Sequence, residues 1–192
     1  MVRDYKLDFP SDPEFHAFLD EFQRESDRAA AVLAAAFLDE LLERLLRRSF
    51  TNEDKAVEVL FRWPGPLSSF AGKISVAYAV GLISTQERHD LDLMRDIRND
   101  FGHELQGLSF GTRSIADRCR GFELNEERFA AQPDLGADYP REPRKRFDLA
   151  VALLAWYITR RISAAKRFAS PYPPLWPQYD PPQIERASKD TV

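Results

Sequence analysis

The sequence predicts an all-α protein, and three observations support that class. Apolar residues recur every three or four positions in several long windows, the spacing of one helix face. Ser11, Ser26 and Ser84 stand just before three of these windows, where a serine side chain can cap a helix. No window alternates apolar and polar residues with the period of two that is typical of a half-buried strand. We therefore expect a helical bundle of about five to seven helices.

Three helices are predicted in the first third of the chain. Ser11 caps a short helix that runs to about Arg24, and a second helix begins at residues 26–27. The alanine-rich start of the second helix is apolar all round, which places it at the centre of the bundle; a dimer seam is the less common use of this pattern. A third, short helix covers residues 53–61 and stops at the prolines and glycine of residues 64–66.

Two further helices are predicted in the middle of the chain. The fourth lies within residues 65–84, where apolar residues again share one face. Ser84 is followed three residues later by Glu87, the spacing of a capping box. The fifth helix should therefore run from about residue 85 to residue 101 or 102.

The last third divides into a loop region, a long helix and a tail. Residues 105–142 contain scattered glycine and proline and only one weakly periodic stretch, 114–120, which predicts a loop region with one short helix. A strongly periodic helix follows over residues 143–168. Residues 169–192 include six prolines and predict an extended or disordered proline-rich C-terminal tail. The expected organisation is one helical domain, 1–168, followed by this tail.

Composition narrows the functional classes. With 192 residues, 44% of them hydrophobic and 30% charged, the chain can bury a real core. A net charge of −4 argues against wholesale electrostatic binding to nucleic acid, so direct DNA binding is doubtful. One cysteine, Cys119, and three histidines predict neither an internal disulfide nor a metal site, and no cofactor motif occurs. No apolar run reaches the length of a membrane span, so we expect a cytoplasmic protein.

Arg98 is the first unusual residue of the predicted fifth helix. On a helical projection it falls beside Leu91 and Met94, at the edge of the apolar stripe. Its stem can pack on the core while the guanidinium reaches water or pairs with a carboxylate such as Asp39 or Glu40. Alternatively, its planar guanidinium binds a phosphate or carboxylate in a cleft through paired hydrogen bonds.

His103 follows Gly102 at the predicted end of the same helix. We expect the glycine to allow a left-handed turn that brings the imidazole towards Arg98 or Asn99. The simpler interpretation is a cap, because a cationic imidazole is favoured at a helix C-terminus. The functional interpretation makes His103 an acid or base and lets Arg98 stabilise charge on a phosphoryl group. Asn99 or Asp100 would then orient one of these two side chains.

Residues 65–103, GPLSSFAGKISVAYAVGLISTQERHDLDLMRDIRNDFGH, resemble the core of the mannitol operon repressor family. The shared features are a Gly-Pro-Leu opening, a Tyr-x-x-Gly-Leu-Ile step and a helix that ends in Arg and His. The resemblance extends over about residues 20–168. It implies an all-helical regulator of transcription without a helix-turn-helix, acting through a protein partner or a larger regulatory complex. Whether the protein is a homodimer is left open by the resemblance.

The pattern of Arg98, Asn99 and His103 also resembles the Arg-x4-His signature of HEPN domains. Active HEPN proteins are metal-independent endoribonucleases, found in toxin and defence settings, whose arginine and histidine meet at a dimer cleft. This second resemblance implies a catalytic histidine at 103, a phosphate clamp at Arg98 and an RNA substrate. Whether the protein is an enzyme is left open, and the regulator is the first hypothesis.

Two basic groups flank the final helix. We expect the first, residues 141–146, to lie in a solvated loop, and the second, residues 160–167, to complement the helix C-terminus. A nucleic-acid surface is the alternative for both groups.

Overall fold

The computed structural model describes residues 13–50, 54–104, 107–124 and 139–168. Seven helices lie wholly within these residues, no strand occurs among them, and the all-α prediction is confirmed. The predicted proline-rich tail lies outside the described residues. The helices, in chain order, are α1 (Pro13–Phe22), α2 (Asp27–Ser49), α3 (Asp54–Phe61), α4 (Phe70–Ala79), α5 (Thr85–His103), α6 (Arg113–Arg120) and α7 (Pro143–Ala164).

Helices α2 and α7 form the centre of the bundle and pack against each other. Every residue of α7 from 147 to 156 is buried, including Trp156, because this helix is apolar on nearly all sides. Helix α2 buries a leucine stripe in its second half and alanines in its first half. The predicted central position of α2 is confirmed.

The alanine-rich start of α2 is not buried all round, which corrects the sequence-based prediction. Ala30, Ala31 and Ala34 are buried, whereas Val32 and Ala36 are exposed. The exposed pair lies beside helices α4 and α5, which both pack on α2. An apolar strip of α2 therefore remains open to solvent between these two neighbours.

Serine caps fix where the helices begin. Ser26 accepts a hydrogen bond from the backbone of Ala29, and Ser69 caps α4 through Gly72. Ser84 and Glu87 form the predicted capping box at the start of α5, with both reciprocal hydrogen bonds present. The register of α5 is therefore set at its first turn.

Helix ends differ from the predictions by a few residues. Helix α1 ends at Phe22 rather than Arg24, and α7 ends at Ala164 rather than residue 168. The short helix predicted in the loop region is α6, displaced by one residue at its start. Ends are weakly specified by periodicity, because the last turn lacks a following apolar residue that would fix it.

The first basic group is not a solvated loop, contrary to the prediction. Arg144 lies in the first turn of α7 and points inward, where its guanidinium bonds to the carboxylates of Asp27 and Asp148. It also donates to the backbone carbonyls of Phe22 and Glu25. This arginine links α1 and α2 to α7 through hydrogen bonds, so its charge stabilises the packing of the three helices at the edge of the core.

Candidate functional site

The C-terminal end of α5 carries the three residues of the predicted site. The helix runs through Gly102 without a left-handed turn and ends at His103, so the predicted turn at the glycine is wrong. Arg28 of α2 explains the continuation, because its guanidinium donates to the carbonyls of Phe101 and Glu104. A guanidinium from a neighbouring helix thus satisfies carbonyls that a helix end leaves free.

Arg98 and Asn99 form a local pair. The Arg98 Nη1 donates to the Asn99 Oδ1 at 3.0 Å, and the Arg98 side chain is exposed. This exposure agrees with the prediction that the guanidinium reaches water. The alternative, a pairing with Asp39 or Glu40, is wrong, because Asp39 lies against Lys73 and Glu40 bonds to Arg44. The guanidinium of Arg98 has no carboxylate partner among the described residues.

His103 is exposed on a different side of α5 from Arg98. Five positions separate the two residues, which corresponds to a rotation of about 140° around a helix. Arg98 lines a cleft on the α2 and α4 side, and His103 is not part of its lining. The structure brings Arg98 and Asn99 together but places His103 elsewhere on the helix.

The cleft beside Arg98 lies between α2, the start of α4 and α5, and has a volume of about 390 Å³. Its walls combine an apolar strip from α2 and the ring of Phe70 with hydroxyl, carboxylate and guanidinium groups. The lining residues are Val32, Ala35, Ala36, Asp39, Ser68, Ser69, Phe70, Arg95 and Arg98.

A buried lysine controls the charge at one side of the cleft. The Lys73 side chain is 5% exposed, and its Nζ lies 3.0 Å from Asp39 and 2.8 Å from Glu43. Burial raises the pKa of Asp39, and the two hydrogen-bonded charges of Lys73 and Arg47 hold the pKa of Glu43 below its ordinary value despite burial. Asp39 and Glu43 of α2 therefore share a cation that is supplied from within the protein.

Arg95 is the second arginine of the cleft. It bonds to Asp92 at 2.7 Å and to Asp96 at 3.0 Å, both on its own helix. These two carboxylates are outside the lining of the cleft, and each of the three guanidinium nitrogens of Arg95 donates to one of them.

A second exposed feature lies around α3. Trp63, just after this helix, is 83% exposed, and Val59 on the helix is 67% exposed. Lys55, Glu58 and Arg62 flank them. A large apolar ring on the surface is a common feature of contact sites between proteins.

Neither a metal cluster nor a membrane span is found in the part of the chain that the structure describes. Among those residues, no three histidine, cysteine, aspartate or glutamate side chains are grouped so that they could hold a metal ion. None of the described helices is long and apolar enough to cross a bilayer.

Comparison with known proteins adds the family. A family model described as mannitol repressor matches residues 19–139. The chain is 28% identical over 87 residues to the mannitol operon repressors of Escherichia coli K12 and of Escherichia coli O6:H1. The aligned part covers 43% of this chain and 45% of each repressor, so the chain spans about half the length of the curated relatives it matches.

The fold is similar to that of a chain in the X-ray structure of the MtlR–HPr complex from Escherichia coli, with a TM-score of 0.60 and 20% identity. The similarity covers 76% of this chain and 98% of that one. Fold and site thus define an all-helical bundle protein with a polar cleft against its central helix. Because the family model matches more than half of its residues, the chain belongs to the mannitol repressor family.

The sequence offered a cleft beside Arg98 as one alternative, but it did not indicate which residues line that cleft. The signal was present in α2, whose apolar residues Val32 and Ala36 lie outside the stripe that faces the core. An apolar residue beyond the core stripe indicates a second, open apolar surface. The contribution of Ser68 and Ser69 depends on how α4 packs on α2, which periodicity does not specify.

Proposed function

We propose that the protein is a transcriptional regulator of the mannitol operon repressor type that acts in the cytoplasm by binding a protein partner. The family match over residues 19–139 carries this proposal, because it covers the helices that build the cleft and most of the core. The regulated operon is identified by transcript levels rather than by the fold, since one fold hosts many functions.

The similarity to a chain crystallised with HPr supports a protein partner. We infer that the partner of this chain is a small protein of the HPr kind. The basic residues at the start of α7 support this over direct nucleic-acid binding, since Arg144 is engaged by carboxylates and Arg146 donates to the carbonyl of Pro140 at 2.9 Å. Engaged guanidinium groups are not available for phosphate contacts.

Calorimetric titration of the full chain with purified HPr from the same organism tests the proposed partner. We expect saturable binding with a dissociation constant of about 1 µM or tighter. An unrelated basic protein of similar size is the control for attraction by net charge alone. Absence of binding at a hundredfold higher concentration would contradict the proposed partner.

The regulatory part of the proposal has its own test. Deleting the gene should raise the transcripts of at least one operon, and a plasmid copy of the full chain should lower them again. Unchanged transcripts in the deletion strain, under growth on sugars and on sugar alcohols, would contradict a repressor function.

The assembly and the organisation of the chain belong to the same proposal. Residues 1–168 act as the binding domain, and residues 169–192 follow as a tail. A homodimer is compatible with the exposed apolar residues Val59 and Trp63. Sedimentation of the full chain and of a chain ending at residue 168 measures the oligomeric state and shows whether residues 1–168 suffice for it.

The ribonuclease alternative stays a prediction from the motif, and no comparison favours it. It assigns catalysis to Arg98, Asn99 and His103, and it requires two chains, since Arg98 and His103 lie on different sides of one helix. Incubation of an RNA pool with the protein in EDTA tests it. Cleavage that leaves 2′,3′-cyclic ends and is lost in both Arg98→Ala and His103→Ala would establish the enzyme.

A further inference from the structure

We propose that the cleft between α2, α4 and α5 binds a small molecule that carries one anionic group, phosphate or carboxylate, on an uncharged hydroxylated body. The volume of about 390 Å³ lies within the range of roughly 300–1,000 Å³ that small-molecule sites occupy. A site of this size against a central helix suits an effector molecule better than a macromolecule.

The Arg98 guanidinium supplies the anion-binding side of the cleft. Arg95 lies three positions earlier on α5 and also lines the cleft, but its three guanidinium nitrogens already donate to Asp92 and Asp96. The Arg98 fork makes one hydrogen bond among the described residues, to the amide oxygen of Asn99. Its remaining N–H groups can form the paired hydrogen bonds that a phosphate or carboxylate accepts.

The carboxylate in the cleft does not cancel this positive charge. The Lys73 Nζ lies 3.0 Å from both oxygens of Asp39, on the protein side of the cleft. Lys73 itself is buried, whereas the Asp39 side chain is 32% exposed and faces the cleft. With Asp39 held by lysine, the Arg98 guanidinium remains the group of the cleft that is open to an incoming anion.

The rest of the cleft fits an uncharged body with hydroxyl groups. Asp39 can accept a hydrogen bond from a ligand hydroxyl, and so can the hydroxyl oxygen of Ser68, whose proton is donated to the Gly65 carbonyl at 2.7 Å. Val32, Ala36 and Phe70 provide apolar walls for the carbon skeleton. A few convergent polar groups on an apolar wall are the usual composition of a ligand site.

Calorimetric titration of the full chain with four probes tests the proposal. Glucose 6-phosphate presents a phosphate on a hydroxylated body, gluconate presents a carboxylate, inorganic phosphate presents the anion alone, and glucose presents the body alone. We expect glucose 6-phosphate or gluconate to bind at least about tenfold more tightly than glucose and inorganic phosphate. The better of the two identifies the anionic group.

Three variants distinguish binding in the cleft from nonspecific attraction of an anion to surface charge. Arg98→Ala should weaken binding of the better probe by at least about tenfold, through loss of the fork. Ala36→Phe keeps every charge but fills the cleft, and should weaken binding equally. Arg113→Ala removes an arginine that is 96% exposed on α6, outside the cleft, and should leave binding unchanged.

Either of two results would overturn the proposal: neither anionic sugar binds more tightly than glucose, or Ala36→Phe and Arg98→Ala bind as the wild type does. The proposal does not rest on the proposed partner. A protein that binds HPr without binding these probes, or the reverse, distinguishes failure of one from failure of the other.

Discussion

Arg144 and Arg98 are both arginines on long helices, but their surroundings differ in every respect. Arg144 is largely buried and bonds to two carboxylates and two backbone carbonyls from three parts of the chain. Arg98 is exposed and bonds to the amide of its neighbour in sequence. The first guanidinium is satisfied by the fold, whereas the second retains donors for another molecule.

The comparison separates charges that hold the bundle together from charges available for binding. A buried ion pair whose remaining donors are satisfied is sensitive to loss of one partner, because the other charge is then left without compensation. An exposed arginine contributes little to stability, since water replaces its partner at small cost. The two residues should therefore respond oppositely in assays of stability and of binding.

The largest expected effect is on the satisfied arginine. Arg144→Met should lower the free energy of unfolding by about 3 kcal/mol, because the carboxylates of Asp27 and Asp148 lose their shared cation. Arg113→Met, at an exposed position, is the matched control and should change stability by less than about 0.5 kcal/mol. Urea unfolding followed by circular dichroism measures both, and equal effects would contradict the contrast.

A somewhat smaller loss is expected at the edge of the cleft. Lys73→Met keeps most of the buried stem but removes the cation between Asp39 and Glu43. Because both carboxylates retain partial contact with solvent, we expect a loss of about 2 kcal/mol rather than the full value of a buried pair. Urea unfolding checks this value, and a variant as stable as the wild type would show that the lysine only fills space.

Acidity should weaken the effect of Arg144→Met. Burial raises the pKa of Asp148 to about 6, despite the lowering influence of Arg144. Because the folded-state pKa lies above the ordinary value of 3.8, protonation favours the folded state, and this group's contribution to stability falls as the pH rises from about 4 through about 6. The fall should be steeper in the variant, whose ionised carboxylate lacks its cation.

The difference in unfolding free energy between wild type and Arg144→Met should therefore shrink by at least about 1 kcal/mol between about pH 7.5 and about pH 5. Urea titrations at several pH values measure it. The comparison of Asp148→Asn with the double variant Arg144→Met/Asp148→Asn removes the titrating group from both proteins, and the pH dependence that Asp148 gives to the difference should then be absent. A difference that is constant with pH would contradict the role given to Asp148.

The sequence predicted the helices well because each has a local signal. The capping box of Ser84 and Glu87 and the apolar stripe of α7 depend on residues three or four positions apart. The role of Arg144 was missed because its partners, Asp27 and Phe22, lie more than a hundred positions earlier. Periodicity contains no information about which distant carboxylate meets a charge.

The candidate site was predicted only in part for the same reason. Arg98 was identified because a charge stands at the edge of an apolar stripe within one helix. The end of α5 was misjudged at Gly102, because the guanidinium that bonds to its last carbonyls comes from Arg28 on another helix. The cleft itself depends on the packing of three helices, and no window of sequence contains all of them.

The smallest effects on stability are expected at the predicted site. Arg98→Ala loses one exposed hydrogen bond to Asn99 and should change the free energy of unfolding by less than about 0.5 kcal/mol. His103→Ala removes a side chain at an exposed helix end, whose favourable interaction with the helix dipole is worth less than about 1 kcal/mol. Thermal unfolding of both variants measures these values, with Arg144→Met as the reference for a large shift. If His103→Ala shifts the thermal midpoint as far as Arg144→Met does, the histidine supports the fold. If Arg98→Ala and His103→Ala both leave the midpoint nearly unchanged, a change in ligand, partner or RNA assays of these variants reports on function rather than on folding.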